Sequence, residues 1–170
     1  MKKTLIVLNN LITAGIIQKY AIAGGIASLF YVEPVATFDL DLFVLVPDEE
    51  SLTPLATIYE YLGCLGYPTE QEHIIVEGIP VQFLLPYNEL IREAINSART
   101  EPYEDVATSV VSVEYLMAIM LQTWRIKDRE RLALFVQEAG FDKNQLEEIL
   151  ARHKLDERWK QWINQNTSNT

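Results

Sequence analysis

Two aspartates one residue apart, Asp39 and Asp41, stand in the apolar run FDLDLFVLV. Side chains on a strand alternate between faces, so both carboxylates point the same way, roughly 6–7 Å apart. Phe38, Leu40, Leu42, Val44 and Val46 fall on the other face. Two like charges held this close repel unless a cation lies between them or water solvates both. Mg²⁺ suits such a pair, because it takes one or two carboxylates and shares its remaining shell with phosphate. The plainer reading is a solvated strand face with no chemical task.

About 15 residues upstream, Gly24 and Gly25 end the short apolar run YAIAG and open IASLF. Glycine permits a bend that presents successive backbone N–H groups, which is what a phosphate requires. Ser28 adds a hydroxyl nearby. A tight turn that merely needs glycine is the competing account. Together, a glycine bend, a helix and a D-x-D strand make an anion site facing a cation site.

The rest of the chain supplies the elements that must hold these groups. Residues 4–18 read as an amphipathic helix, from Leu5, Leu8, Leu11, Ile12 and Ile16 at three- and four-residue steps. Pro34 breaks the helix after the glycines. SLTPLATIYEYLGCLG reads as a helix with Ser51 as N-cap, closed by Gly66. HIIVEGIPVQFLLP reads as a hairpin turning at Glu77-Gly78, residues 87–98 as a helix, and VATSVVS as a last short strand. From Val113 onward the pattern is helical, with Gly140 ending one helix and Asp142 capping the next. The fold class is α/β (α+β): residues 1–112 form a mixed sheet flanked by helices, 113–164 a C-terminal helical portion packed on it, and 165–170 a frayed tail.

Composition narrows the partners. Against 24 acidic residues stand 14 basic ones, a formal charge of -10. So acidic a chain, with no Lys/Arg run, repels nucleic-acid backbone, which makes long nucleic acid a poor partner. A nucleotide held through a metal ion stays open. The start MKKTLIVL resembles a signal peptide, but Asn9, Asn10 and Lys19 break the apolar stretch, and it reads as the first helix of a cytosolic, cytoplasmic protein with no membrane segment. Cys64, the one cysteine, reads as a buried structural thiol. His73 and His153 have no metal-ligand spacing and read as exposed or hydrogen-bonded, and Trp124, Trp159 and Trp162 as packing anchors.

The segment AIAGGIASLFYVEPVATFDLDLFV resembles the signature of the nucleotidyltransferase (polymerase beta-like) superfamily, and most resembles its minimal AbiEii-like bacterial branch. VVSVEYLMAIMLQTWRIKDRERLALFVQE is similar to the helical segment that follows the sheet in those proteins, so the likeness spans about residues 5–138. The resemblance implies that Asp39 and Asp41 hold divalent metal, Mg²⁺ or Mn²⁺, and that the bend at Gly24, Gly25 and Ser28 binds the triphosphate of an NTP. It implies transfer of a nucleoside monophosphate to an acceptor hydroxyl, with pyrophosphate leaving, and a protein partner of toxin–antitoxin type.

Departures accompany the matches. The third metal carboxylate of the family falls at Gln82, a neutral residue, with Glu77 able to substitute only in a different register. No basic residue precedes the aspartate strand in PVATFD, and Met120 stands where a lysine is common. Arg125, Lys127 and Asp128 match an R-x-K-D pattern; the two cations either meet nucleotide phosphates or neutralise Asp128. A catalytically degenerate, nucleotide- or partner-binding module therefore competes with an enzyme. LMAIMLQTW is apolar enough to leave a homo-oligomer open as well.

Overall fold

A computed structural model describes residues 1–33 and 37–167. Pro34, the expected helix breaker, lies outside the described residues, as do the next two residues of the PVATFD segment and the end of the tail.

The sheet contains β1 (Lys19–Ile22), β2 (Leu40–Leu45), β3 (Thr69–Glu70), β4 (His73–Val76), β5 (Ile79–Leu84), β6 (Arg99–Tyr103) and β7 (Val106–Val110). Their order across it is β3-β4-β5-β2-β1-β7-β6. β2 runs parallel to β5 and β1 parallel to β7, while the other neighbours are antiparallel. β2 is therefore central, with β1 on one side and β5 on the other. Mixed pairing arises because one crossover, through α3 (Ala56–Cys64) and the β3–β4 pair, returns the chain parallel to β2.

One face of the sheet carries Tyr20, Ile22, Leu40, Leu42, Val44, Val81 and Phe83, all buried. α1 (Lys2–Thr13) packs there through Leu5, Leu8 and Leu11, and its Asn9 Oδ1 accepts a hydrogen bond of 2.8 Å from the Tyr20 hydroxyl. The opposite face holds Ala21, Asp41, Phe43, Leu45 and Gln82. α4 (Glu89–Asn96) covers its lower part with Leu90, Ile91, Ala94 and Ile95, so Phe43 and Leu45 are buried although they share the aspartates' face. The upper part of that face is left to α2 (Gly24–Ser28) and to the two acids.

The expected C-terminal helices form as α5 (Val113–Thr123), α6 (Ile126–Glu138), α7 (Lys143–Arg152) and α8 (Asp156–Thr167). Asp142 caps α7 as expected, accepting from the Asn144 and Gln145 N–H groups at 2.9 and 3.1 Å. Glu93 on α4 ties the layers together: its Oε2 accepts from the Tyr115 hydroxyl on α5 at 3.1 Å and from Arg152 Nε at 3.2 Å, with His153 Nε2 at 3.1 Å. Trp159 stacks on buried Trp162 with ring centroids 5.5 Å apart, and the guanidinium groups of Arg129 and Arg158 stand over the Trp124 ring at 5.8 and 5.5 Å from its centroid. No helix of the described residues is long and apolar enough to cross a membrane.

Several expectations are corrected. α1 stops at Thr13 rather than 18, where the chain turns at Gly15 and Gln18 N–H already bonds the Leu45 carbonyl. Ser51 does not cap α3; its hydroxyl accepts locally from Thr53 N–H, and the helix starts later, with Leu55 at the N-cap. Cys64 is exposed, because Ile58 and Leu62 define the inward stripe of α3 and a residue two beyond Leu62 turns outward. Phe38 is 85% exposed, since the strand begins only at Leu40. α8 continues through Thr167 rather than fraying from 165. β3 and β6 were not expected: the first is two residues long, and the second is polar and contains Pro102, tolerated at a sheet edge.

Candidate active site

The two glycines and the D-x-D strand meet. Ala23 N–H donates to the Asp41 carbonyl at 2.9 Å, which clamps the bend against the top of β2. Gly24 has φ +60°, and a Cβ there would overlap the Asp41 carboxylate, standing 2.9 Å from its Cγ and closer still to Oδ2. A Cβ on Gly25 would lie 2.6 Å from the Thr37 Cβ. Both positions are thus closed to side chains, for two different reasons. Thr37 also donates to Asp39 Oδ1 at 3.3 Å, so it braces one acid while covering one glycine. Sequence reading missed Thr37, whose only signal was its position two residues before Asp39.

Ser28 is brought to the bend but turned inward. Its side chain is fully buried and its hydroxyl donates to the Gly24 carbonyl at 3.1 Å, bracing the turn from within.

Gln82 lies directly beside Asp41, in register across the parallel β2–β5 pair. Glu77 is far from it, in the hairpin turn with φ +53° followed by Gly78 at +82°, and accepts from the Tyr67 hydroxyl at 2.9 Å. The position where a third carboxylate was expected is therefore occupied by an amide. His73 is the second group that sequence reading undervalued: its Nε2 is buried and unpaired, neither exposed nor hydrogen-bonded as anticipated.

The R-x-K-D pattern divides its labour. Asp128 is buried and accepts from Arg125 Nε at 2.7 Å, Arg125 Nη2 at 3.3 Å, the Arg125 backbone N–H at 3.2 Å and the Thr123 hydroxyl at 2.7 Å. Arg125 is thus committed to Asp128. Lys127 is exposed and makes no ion pair among the described residues, yet it and Arg125 both stand close enough to Asp41 to favour its charged form. Phe38, Tyr87 and Ile126 expose 85%, 61% and 69% of their surface, and each adjoins one of these polar groups in sequence or in charge contact.

The charge on Asp41 is disfavoured where it stands. Burial, then the neighbouring charge of Asp39, pushes the Asp41 carboxyl above its ordinary value, only partly offset by Lys127, Arg125 and His73. A carboxylate raised in the folded state destabilises that state: the penalty is absent below the unfolded value, sets in as pH rises through the window between the two, and stays at neutral pH. Asp41→Asn is therefore expected to raise the melting temperature of the metal-free protein at pH 7 by about 2–4 °C, the shift that about 1 kcal/mol gives in a chain of this size. The gain should vanish at pH 3 in a calorimetric scan; an equal gain at both pH values would remove the electrostatic explanation.

The donor set fits a divalent ion shared with phosphate better than a caged one. Asp39 stands near enough to act on the charge of Asp41, Gln82 pairs with Asp41 across the strands, and no cluster of three or more His, Cys, Asp or Glu groups able to hold a metal occurs among the described residues.

Two solved structures resemble this one along nearly their whole length. An antigenic nucleotidyltransferase-like protein from Paracoccidioides brasiliensis matches with a TM-score of 0.57 at 14% identity, covering 92% of this chain and 90% of that one. The fold is nucleotidyltransferase-like. The antibiotic-resistance factor ANT(2'')-Ia also matches, with a TM-score of 0.48 at 14% identity over 99% of this chain and 100% of that one. No protein-family model matches the sequence, and no curated protein matches it. At this identity the likeness is one of fold.

Proposed function

We propose that this protein binds a nucleoside triphosphate together with Mg²⁺ or Mn²⁺ and transfers the nucleoside monophosphate to an acceptor hydroxyl. The observation that carries the proposal is the contact between the Gly24 bend and the Asp41 carboxylate, so close that only glycine fits. A backbone that approaches an acid this tightly has no packing purpose that a small side chain elsewhere would not serve. It brings amide donors and metal-binding oxygens to one point, which is the arrangement a metal-bound polyphosphate needs.

In this reading Asp39 and Asp41 hold the ion, with Thr37 fixing the orientation of Asp39. The amides at Gly24 and Gly25 receive phosphate oxygens, while Ser28 keeps the bend rigid. Lys127 supplies a mobile positive charge to the phosphates, and Arg125, held by Asp128, a fixed one. The divalent ion, when bound, would neutralise phosphate charge and polarise the α-phosphate. The resemblance of residues 21–44 supports the AbiEii-like branch, and with it a protein partner.

Gln82 beside Asp41 favours a second reading, in which nucleotide is bound and no transfer follows. One titration separates the cases. NTP binding to the wild type is expected to require Mg²⁺ or Mn²⁺, and Asp39→Ala/Asp41→Ala to weaken it by about tenfold or more, the loss of two charge-assisted contacts. Equal binding by wild type and double variant would end both readings. Metal-dependent binding without pyrophosphate release would leave only the second.

A further inference from the structure

The neutral amide at position 82 leaves the site without the carboxylate that resemblance led one to expect. The sheet brings another group to the same row. β4 and β5 pair with Ile74 opposite Val81, and the same register one step on sets His73 opposite Gln82. Asp41, Gln82 and His73 thus form a line across three strands on one face, and Glu70 of β3 pairs with His73 to extend it. Asp41 and His73 are two strand spacings apart, about 10 Å at Cα. His73 stands near enough to favour the charged form of Asp41.

His73 is also chemically unspent. Its Nε2 is buried with no hydrogen-bond partner. A buried polar atom left unpaired is unfavourable by about 1–3 kcal/mol and calls for an explanation, such as a ligand that completes it. Beside it opens a cavity of about 370 Å³, lined by Phe38, Asp39, Glu70, Gln71, His73 and Pro80 among others. This cavity reaches Asp39 from the β4–β5 side. The glycine bend meets Asp41 from the β1 side, since β1 and β5 flank β2. Nucleotide phosphates on the bend would therefore have the cavity across from them, where an incoming acceptor must stand for in-line attack. The charged groups around the imidazole are Glu70 from β3, Asp39 and Asp41 from the β2 segment and, beyond them, Lys127 and Arg125 from the α6 segment.

From this placement, and resting on the transfer reading above, we propose that His73 is the general base. The acceptor oxygen bonds to the α-phosphorus as its proton passes to the imidazole nitrogen. The bond from the α-phosphorus to the bridging oxygen breaks, and its electron pair leaves with pyrophosphate. The imidazolium then returns its proton to solvent.

The test uses the full chain with NTP and Mn²⁺, with water and molar glycerol as acceptors, measuring pyrophosphate release and NTP affinity in parallel. His73→Ala and His73→Gln are expected to slow release by about a hundredfold, the usual worth of a general base. Their NTP affinity should stay within about threefold of wild type, a pure loss of the chemical step. Added imidazole should restore much of the rate to His73→Ala, which a packing role would not permit. Adding Gln82→Asp to His73→Ala should restore it without imidazole. Undiminished release by both His73 variants overturns the assignment, as does a wild type that binds NTP and releases no pyrophosphate. A wild type that binds no NTP sinks the parent reading along with it, and the affinity measurement tells the two failures apart.

Discussion

Gly24→Val is expected to destabilise the protein by roughly 3–5 kcal/mol and to weaken metal-dependent NTP binding more than a hundredfold. Two separate penalties combine. A β-branched residue at φ +60° is a steric outlier worth about 1–3 kcal/mol of strain. The new side chain also collides with the Asp41 side chain, out to its Cβ, and the Ala23 N–H bond to the Asp41 backbone carbonyl keeps the two backbones from separating, an overpacking penalty of about 1–3 kcal/mol. Gly15→Val is the control: φ is +70° there, but nothing lies within 4 Å of the added Cβ, so only the strain applies. Denaturant midpoints for the two variants separate strain from collision. If Gly24→Val unfolds no more readily than Gly15→Val, the close approach on which the site depends is absent in solution.

Asp128→Ala is expected to lower stability at pH 7 by about 2–4 kcal/mol, against less than about 1 kcal/mol for Arg125→Ala. The asymmetry follows from burial. Asp128 is 2% exposed and accepts from four donors; its removal empties a buried polar position and strands the backbone N–H that opens α6, while the Thr123 hydroxyl keeps the Ile119 carbonyl. Arg125 is more than half exposed, so in Arg125→Ala water enters where the guanidinium stood, while the Thr123 hydroxyl and the backbone N–H of residue 125 still donate to the Asp128 carboxylate. Burial works against the Asp128 charge, but hydrogen bonds from Arg125 and Thr123 outweigh it and hold the carboxyl below its ordinary value of 3.8. For a depressed carboxylate the associated stability is fully present above the unfolded value and is lost as pH falls through the folded one. The gap between wild type and Asp128→Ala should accordingly persist from pH 7 to about pH 4 and narrow below it. Urea titrations at pH 7 and pH 3 check this; an unchanged gap at pH 3 would show that packing, not charge, makes the difference.

Much of this architecture was legible in the residues. Asp39 and Asp41 alternate with large apolar neighbours, and Glu77-Gly78 is a two-residue hairpin signal, so β2 and the β4–β5 pair were readable from period and turn chemistry alone. The hairpin in turn fixed which residue falls beside Asp41, and Gln82 does. What escaped was tertiary. Thr37 earns its place by lying over Gly25, and nothing local in the sequence announces that contact. His73 gains meaning only when β4 lies next to β5 and β5 next to β2, a pairing between strands that periodicity cannot assign. Cys64 was misread because an apolar run of letters was taken for an apolar environment, whereas the helix turned that position outward. β6 was invisible because its five residues are polar and one is proline; pairing with β7 and the edge position, not propensity, make it a strand.

The two borders of the sheet have something in common. On one side, Pro102 removes an N–H from β6. On the other, β3 is only two residues long, and the Ile75 N–H beyond its register already bonds the Pro68 carbonyl. Neither margin presents the unbroken row of free donors and acceptors on which another chain could nucleate a strand. The sheet of this acidic protein is thereby protected from self-templated aggregation at both flanks.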